Sequence, residues 1–469
     1  MTTMALQPAL AVPTEVTHVI NRLSFGPSPG DLQHIQAVGI DGYIQEQLSP
    51  EQYPPELQRQ LRQYPTLSLT SMQLERQYGV RRPGSGKLNP QELKQRRRRS
   101  RIPLHEASEV RLIRAISSPN QLEEVMVNFW FNHFNVSAQK GRTGLWVGSY
   151  EQEAIRPYVF GSFRDLLGAT AKHPAMLFYL DNWQNTAPNS AGARGRFKGL
   201  NENYARELLE LHTMGVKGGY SQADVVSAAK ILTGWGFPRG RQRLRAQQVF
   251  YFDARRHDNS RKTFLGRPIR GQGLAEGEEL LNILATHPAT AQHISYKLAQ
   301  YFVADTPPQA LVDRLAQRFL ATDGNIQAVL ATLFESPEFR DPQYCGQKFK
   351  TPYEYLLSMA RAAGRPSVQP RLVMGALRQF SMPLYACSTP QGYANTESAW
   401  LNPDATLRRI SLATAFARGY GRQRIPVQSN QLEQTLGDRF SAQTQAVINS
   451  SPQRLRAALM LGSPEMMYR

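Results

Sequence analysis

The sequence predicts a mainly α protein, a large multi-helix single body with one short β-hairpin-like excursion around residues 247–269. Three observations carry that expectation. Apolar residues recur at i, i+3, i+4 and i+7 along most of the 469 positions, the spacing of a buried helix face. Prolines stand where helices should begin, in His-Pro and Ser-Pro steps. Only "QQVFYFDARRHDNSRKTFLGRPI" (247–269) breaks the period, with aromatic β-formers, a polar turn and a second short extended piece. At 41% hydrophobic residues the chain can bury a sizeable core, and we expect residues 14–469 to form a single helical domain.

Taken in order, "GDLQHIQAVGIDGYIQEQL" (30–48) is helical and broken near Gly39. "LHEASEVRLIRAISS" (104–118) and "NQLEEVMVNFWFNHF" (120–134) follow, the second with Asn120 as expected N-cap and Glu123 in its first turn. "SFRDLLGATAKHPAMLFYL" (162–180) reads as two helical pieces joined at His173-Pro174. From residue 275 onward the helices are plainest: His287-Pro288 ends one and starts another, Gly324 stops a third, and Asn325 caps the next. A faint echo links 327–340 with 456–469 through Ser-Pro-Glu, but two distant copies do not make a repeat protein.

Two stretches read as basic insert loops. "RRPGSGKLNPQELKQRRRRSRIP" (81–103) holds nine Lys/Arg against the single acid Glu92, and "QNTAPNSAGARGRFKG" (184–199) is polar and Gly/Ala-rich. The whole chain carries 55 Lys+Arg against 37 Asp+Glu, a net +18. That balance favours anionic surfaces, and Arg96, Arg97, Arg98, Arg99 and Arg101 are the expected contacts for a polyanion such as an acidic glycan or nucleic acid.

Several function classes fall away. There is no G-x-x-x-x-G-K-[ST] and no strand-led G-x-G-x-x-G, so no nucleotide-binding motif. No His-Glu-x-x-His or cysteine cluster suggests zinc, and no G-x-S-x-G marks a nucleophile elbow. The cofactor is left unknown. "GGYSQADVVSAAKILTGW" (218–235) resembles half of a helix-turn-helix but lacks base-reading side chains. Cys345 and Cys387, the two cysteines, form no C-x-x-C pattern, and a bridge between them is left open. "MTTMALQPALAVPTEV" has no basic n-region, and no apolar run reaches the ~20 residues of a membrane span. The expectation is a cytoplasmic protein, with export by an unrecognised route as the alternative.

The segments "HVINRLSFGPSPGDLQHIQAVGIDGYIQEQLSP", "QLEEVMVNFWFNHFNV", "EAIRPYVFGSFRDLLGATAKHPAMLFYLDN", "NENYARELLELHTMGVKGGYSQADVVSAAKILTGW", "HPATAQHISYKLAQYFVADTPP" and "KFKTPYEYLLSMARA" together resemble the bacterial family catalogued as domain of unknown function 1800, over nearly the whole chain. What the resemblance implies is a setting rather than a reaction: such proteins are often exported and stand beside sulfatase-like or glycan-associated ones. This chain departs from the pattern in lacking an evident export signal and in its added Arg-rich segment 96–101.

Three clusters are candidate sites. In "NENYARELLELHTMG" (201–215), placing residues 100° apart puts Glu202, Asn203, Arg206, Glu207, Glu210, Thr213 and Met214 on one side and Tyr204, Leu208, Leu211 and His212 on the other. His212 thus reads as a core histidine. Leu209 stands three before it, so no Glu-x-x-His metal motif exists. Glu207 and Glu210 are candidates for acid or base work, with Asn203 and Arg206 holding substrate. The same stripe also fits a solvated face of i,i+4 pairs worth about 0.3–0.5 kcal/mol each. The turn at 252–266 offers His257 and Asp258 as a second catalytic pair, flanked by Asp253 and the substrate-binding candidate Lys262. "FWFNHFNVS" (129–137) offers Asn132 and His133, either as cap and helix-dipole partners or as substrate contacts, and "TPQGYANTESAWLNP" (389–403) offers Trp400 from a loop that walls the same cleft. Two functions remain: a hydrolase or transferase-type enzyme acting on a polar or anionic, glycan-like polymer through a carboxylate-lined cleft, or a non-catalytic binding or assembly protein holding polyanions on its basic surface.

Overall fold

A computed structural model describes residues 15–80, 89–195, 197–238, 249–364, 370–419 and 425–469. It is mainly helical, with two small two-stranded antiparallel sheets among the described residues. The expected fold class is the one observed. One continuous core runs from Val19 and Ile20 near the start to Met466 and Met467 near the end, through helices at every stage of the chain. A small satellite of Leu57, Leu61, Val110 and Ile113 sits beside it. Helix Pro288–Phe302 packs on Gln309–Ala321, Pro403–Ala417 on Gln453–Gly462, and Ile102–Ser117 on Thr143–Tyr150.

The expected caps form at several boundaries. His173 and His287 each accept, through Nδ1, the backbone N–H two residues on (3.2 and 3.1 Å), with proline in the first turn that follows. Gly324 takes φ 74°, and Asn325 accepts from Ala328 N at 2.9 Å. Asn120 does not cap its helix. Its amide is committed to Glu51, donating to the carbonyl at 2.6 Å and accepting the N–H at 3.3 Å. Gln47 Oε1 instead accepts from Leu122 N at 3.0 Å, so a distant side chain satisfies the helix end.

One further reading is corrected, the expected hairpin is present, and the open question of a Cys345–Cys387 bridge is answered. Within 81–103, residues 81–88 lie outside the described residues, but Pro90–Arg99 is an α-helix rather than a loop. Asn89 and Glu92 close a capping box, proline stands in the first turn, and Arg96–Arg99 fill the last turn, where the helix dipole favours cations. Within 247–269, residues 247–248 lie outside the described ones. Tyr251–Phe252 pairs with Trp235–Gly236, while the hairpin proper is Thr263–Phe264 against Arg267–Pro268. Its two-residue turn, Leu265-Gly266, has φ 48° and 73°, the handedness that matches strand twist. Cys345 and Cys387 are free and buried, so no bridge joins them. The stretch 184–199 has no strand or long helix among its described residues, and backbone bonds from Ala187 and Gly192 tie it to Arg256 and Arg255.

Candidate active site

A cavity of about 380 Å³ lies where several elements converge, helix Ile102–Ser117 contributing Arg111. The C-terminal part of helix Gln121–His133 supplies Asn128, Asn132 and His133; helix Pro288–Phe302 supplies Lys297, Gln300 and Tyr301. The start of helix Pro352–Ala362 adds Tyr353 and Glu354, and the stretch 382–396 forms the remaining wall.

That wall has little regular structure but is fixed at many points. Asn132 clamps Tyr393 in both directions, donating to its carbonyl and accepting its N–H, each at 2.8 Å. Asn135 donates to the carbonyls of Cys387 and Thr389 (3.2 and 2.7 Å), and the Tyr179 hydroxyl donates to that of Ser388 at 2.7 Å. Gly392, at φ 78°, lies so close to Asn132 that an added Cβ would stand 2.3 Å from its carbonyl oxygen. Only glycine suits that contact. Tyr385 is held at φ 58°, a strained value for an aromatic residue. Its hydroxyl donates to Glu151 at 2.8 Å.

Most charge in the walls is paired. Arg111 meets Glu151 at 3.1 Å and donates to Asn128 Oδ1 at 2.8 Å, its guanidinium lying over the Phe131 and Tyr385 rings. Glu354 accepts from Thr351 N and the Tyr301 hydroxyl and pairs with Arg469 at 3.0 Å. Burial opposes its ionisation, but Arg469 and the Thr351 bonds outweigh burial and hold the carboxyl below its ordinary range.

Lys297 differs from these. Its Nζ donates to His133 Nδ1 at 2.9 Å, and among the described residues no carboxylate pairs with it. Burial of the ammonium holds its pKa down to about 8. His133 is itself buried, and burial with the charge of Lys297 keeps the imidazole neutral, well below its usual range. With Nδ1 accepting, Nε2 carries the proton and donates to the His212 carbonyl at 3.1 Å.

That carbonyl is available for a local reason. Helix Asn203–Glu207 passes directly into a π-helical turn, Leu208–His212, whose end leaves carbonyls without helical partners. His133 bonds that of His212, and His293 that of Leu211 at 3.4 Å. His212 is buried, as expected, and its Nε2 has no partner among the described residues. Burial takes its pKa to about 3, and takes that of His293 to about 4. The result is a lysine amine, a neutral imidazole and a backbone acceptor in line, a nucleophile-or-base, relay and orienting group.

The sequence-derived candidates fall into three places. Asn132 and His133 line the cavity, and Trp400 braces its wall, its ring 6.1 Å from that of Tyr393 and tilted 55° to it, its Nε1 donating to the Ala394 carbonyl at 2.8 Å. Asn203, Arg206, Glu207 and Glu210 are partly or fully exposed on the segment that ends at His212. Arg206 pairs with Glu202 (3.2 Å) and Gln222 (3.0 Å), and Asn203 donates to the Leu180 carbonyl at 3.1 Å. Burial and then Glu210 raise the Glu207 carboxyl pKa. Glu207 in turn adds to the burial and the Cys387 thiol that push the Tyr179 hydroxyl up. It is therefore within electrostatic reach of the tyrosine that braces the cavity wall.

His257, Asp258 and Lys262 form a separate buried network. His257 Nδ1 donates to the Thr233 carbonyl at 2.9 Å, and its Nε2 lies 3.4 Å from Glu276. Lys262 pairs with the same carboxylate at 2.7 Å. This network ties the turn to helix Leu274–Ala285 and supplies no residue to the cavity. Sequence reasoning passed over Lys297, Arg111, Glu151 and Tyr385. One signal was present: His293, Lys297 and Gln300 recur at i, i+4 and i+7 on a helix otherwise built to be buried.

Among the described residues no group of three or more His, Cys, Asp or Glu could hold a metal ion, and no helix is long and apolar enough to cross a membrane. The family model described as "Protein of unknown function (DUF1800)" matches residues 18–468. No curated protein and no solved structure matches the chain.

Proposed function

The chain belongs to the DUF1800 family, and on that premise we propose that it is a hydrolase or transferase-type enzyme acting on a polar, anionic, glycan-like substrate bound in the cavity between Lys297 and the 382–396 wall. The observation that carries the proposal is the Lys297–His133 contact: a cation with no carboxylate partner among the described residues, facing a cavity and touching a neutral imidazole. An unpaired ammonium in such a place suits an anionic group of a ligand. As its proton is shared with His133, the same pair suits proton transfer during bond cleavage. Glu207 and Glu210, on the segment whose end orients His133, are kept in the proposal as outer contacts to a polymer. The test is turnover by the purified chain across acidic glycans, phosphoesters and peptidoglycan. Cleavage or transfer on an acidic glycan, absent from Lys297→Met protein that melts no lower than the wild type, supports it, and equal activity in the variant rejects it.

A second reading, a binding or assembly role for polyanions, rests on one observation. Helix Pro90–Arg99 exposes Arg97, Arg98 and Arg99, and neither these nor Arg96 and Arg101 pair with a carboxylate among the described residues. Arg99 rests over the Tyr78 ring at 5.3 Å, which leaves its charge outward-facing.

A further inference from the structure

We propose that Lys297 is a covalent centre: its amine condenses with the carbonyl carbon of an aldehyde-bearing substrate, such as the open-chain form of a sugar end, to give an imine. This deepens the catalytic reading of the same cavity and rests on it.

Placement comes first. Nζ faces an open cavity, and among the described residues its one hydrogen bond is to the acceptor nitrogen of a neutral imidazole. A carboxylate partner would hold the amine protonated and unreactive, and among the described residues there is none. His133 cannot turn away, because its other nitrogen is held by the His212 carbonyl. The unpartnered His212 Nε2 lies buried beside the pair. Burial then adds what the placement needs: with a pKa of about 8, roughly one amine in ten is neutral at pH 7, about two hundredfold more than for an ordinary lysine.

The step balances without another reagent. The nitrogen lone pair forms the N–C bond while the carbonyl π pair moves to oxygen. The amine's two protons pass to that oxygen, His133 Nδ1 taking each from nitrogen and delivering it. Water leaves, and a C=N bond remains. The imine then draws electrons from the bond next to it, which suits group transfer at a sugar carbon.

The experiment treats the full chain at pH 7 with D-glyceraldehyde and sodium cyanoborohydride and maps the reduced adducts by peptide mass spectrometry. The expected result is an adduct at Lys297 formed at least tenfold faster than at the exposed Lys94 or Lys217, and slowed at least tenfold in His133→Asn. Labelling of Lys297 no faster than these surface lysines overturns the proposal in the wild-type chain, whether or not the variant folds. If that happens while Lys297→Met still lacks turnover, the imine is wrong and the acid–base reading stands. If Lys297 labels selectively but Lys297→Met turns over normally, the amine is reactive without serving the reaction, and both fail.

Discussion

Lys297 Nζ stands 2.9 Å from His133 Nδ1, and among the described residues no carboxylate stabilises the proton between them. The contact joins two helices far apart in the chain, 121–133 and 288–302, and a third segment fixes it when the carbonyl of His212 takes the opposite imidazole nitrogen. The reactive geometry is thus a product of tertiary packing rather than of any local motif.

The lysine should make stability pH-dependent. Its folded pKa of about 8 lies below the ordinary value of about 10.4, so between those values the unfolded chain holds more protons. Stability therefore rises as pH increases from about 8 toward about 10.4. Denaturant midpoints measured across that range should climb for the wild type, and the Lys297 share of the climb should vanish in Lys297→Met.

The histidines act on the acid side. His212 at about 3 and His293 at about 4 lie below the unfolded value of about 6.5, so their contribution is complete above about 6.5 and lost as the pH falls toward 3. Melting temperature should decline from pH 6.5 downward. A His212→Phe variant that folds should decline less steeply, and equal slopes would show that His212 is not the group being protonated.

Removing one buried charge in the wall should be costly. Glu151→Gln leaves Arg111 without its carboxylate and weakens the anchor of Tyr385, so we expect a loss of about 3–5 kcal/mol in urea unfolding. A loss under about 1 kcal/mol would mean that the guanidinium is compensated elsewhere.

Gly392→Ala should disturb the wall locally. The added methyl meets the Asn132 carbonyl oxygen at a positive φ, costing about 1–3 kcal/mol, and Asn132 must give way. Substrate affinity should fall more than overall stability. Wild-type affinity in this variant would count against a rigid wall.

The basic helix can be tested separately. Replacing Arg97 and Arg98 with Gln should cost no more than about 0.5 kcal/mol each in urea unfolding, because both are exposed and neither pairs with a carboxylate among the described residues. Heparin elution should move to lower salt. Unchanged elution would remove the polyanion reading.

The helices were legible because buried faces impose a period and because His-Pro, Gly-Asn and Ser-Pro steps mark their ends. Even the helix at Pro90–Arg99 was written in plain terms, Asn89-Pro90 with Glu92, though its charge made it read as a loop. The site was legible only in fragments. Asn132 and His133 stood out, but what they do depends on Tyr393, Lys297 and His212, which approach from elsewhere in the chain. The 100° spacing used for 201–215 fails after Glu207, where the π turn widens the helix. No local signal announced that turn. Asn120 shows the converse: a good capping residue was diverted by Glu51, and Gln47 satisfied the helix in its place.

The central claim, that the Lys297–His133 pair is the reactive centre, is tested most directly by kcat/KM on the first acidic glycan turned over. The comparison sets Lys297→Met beside the double variant Glu207→Gln, Glu210→Gln, with melting temperature as the folding control. We predict a loss of at least about a hundredfold for Lys297→Met and a smaller loss, carried mainly in KM, for the double glutamate variant. Wild-type turnover by Lys297→Met, with activity abolished in the double variant, would contradict the account and place the chemistry on the 201–213 segment instead.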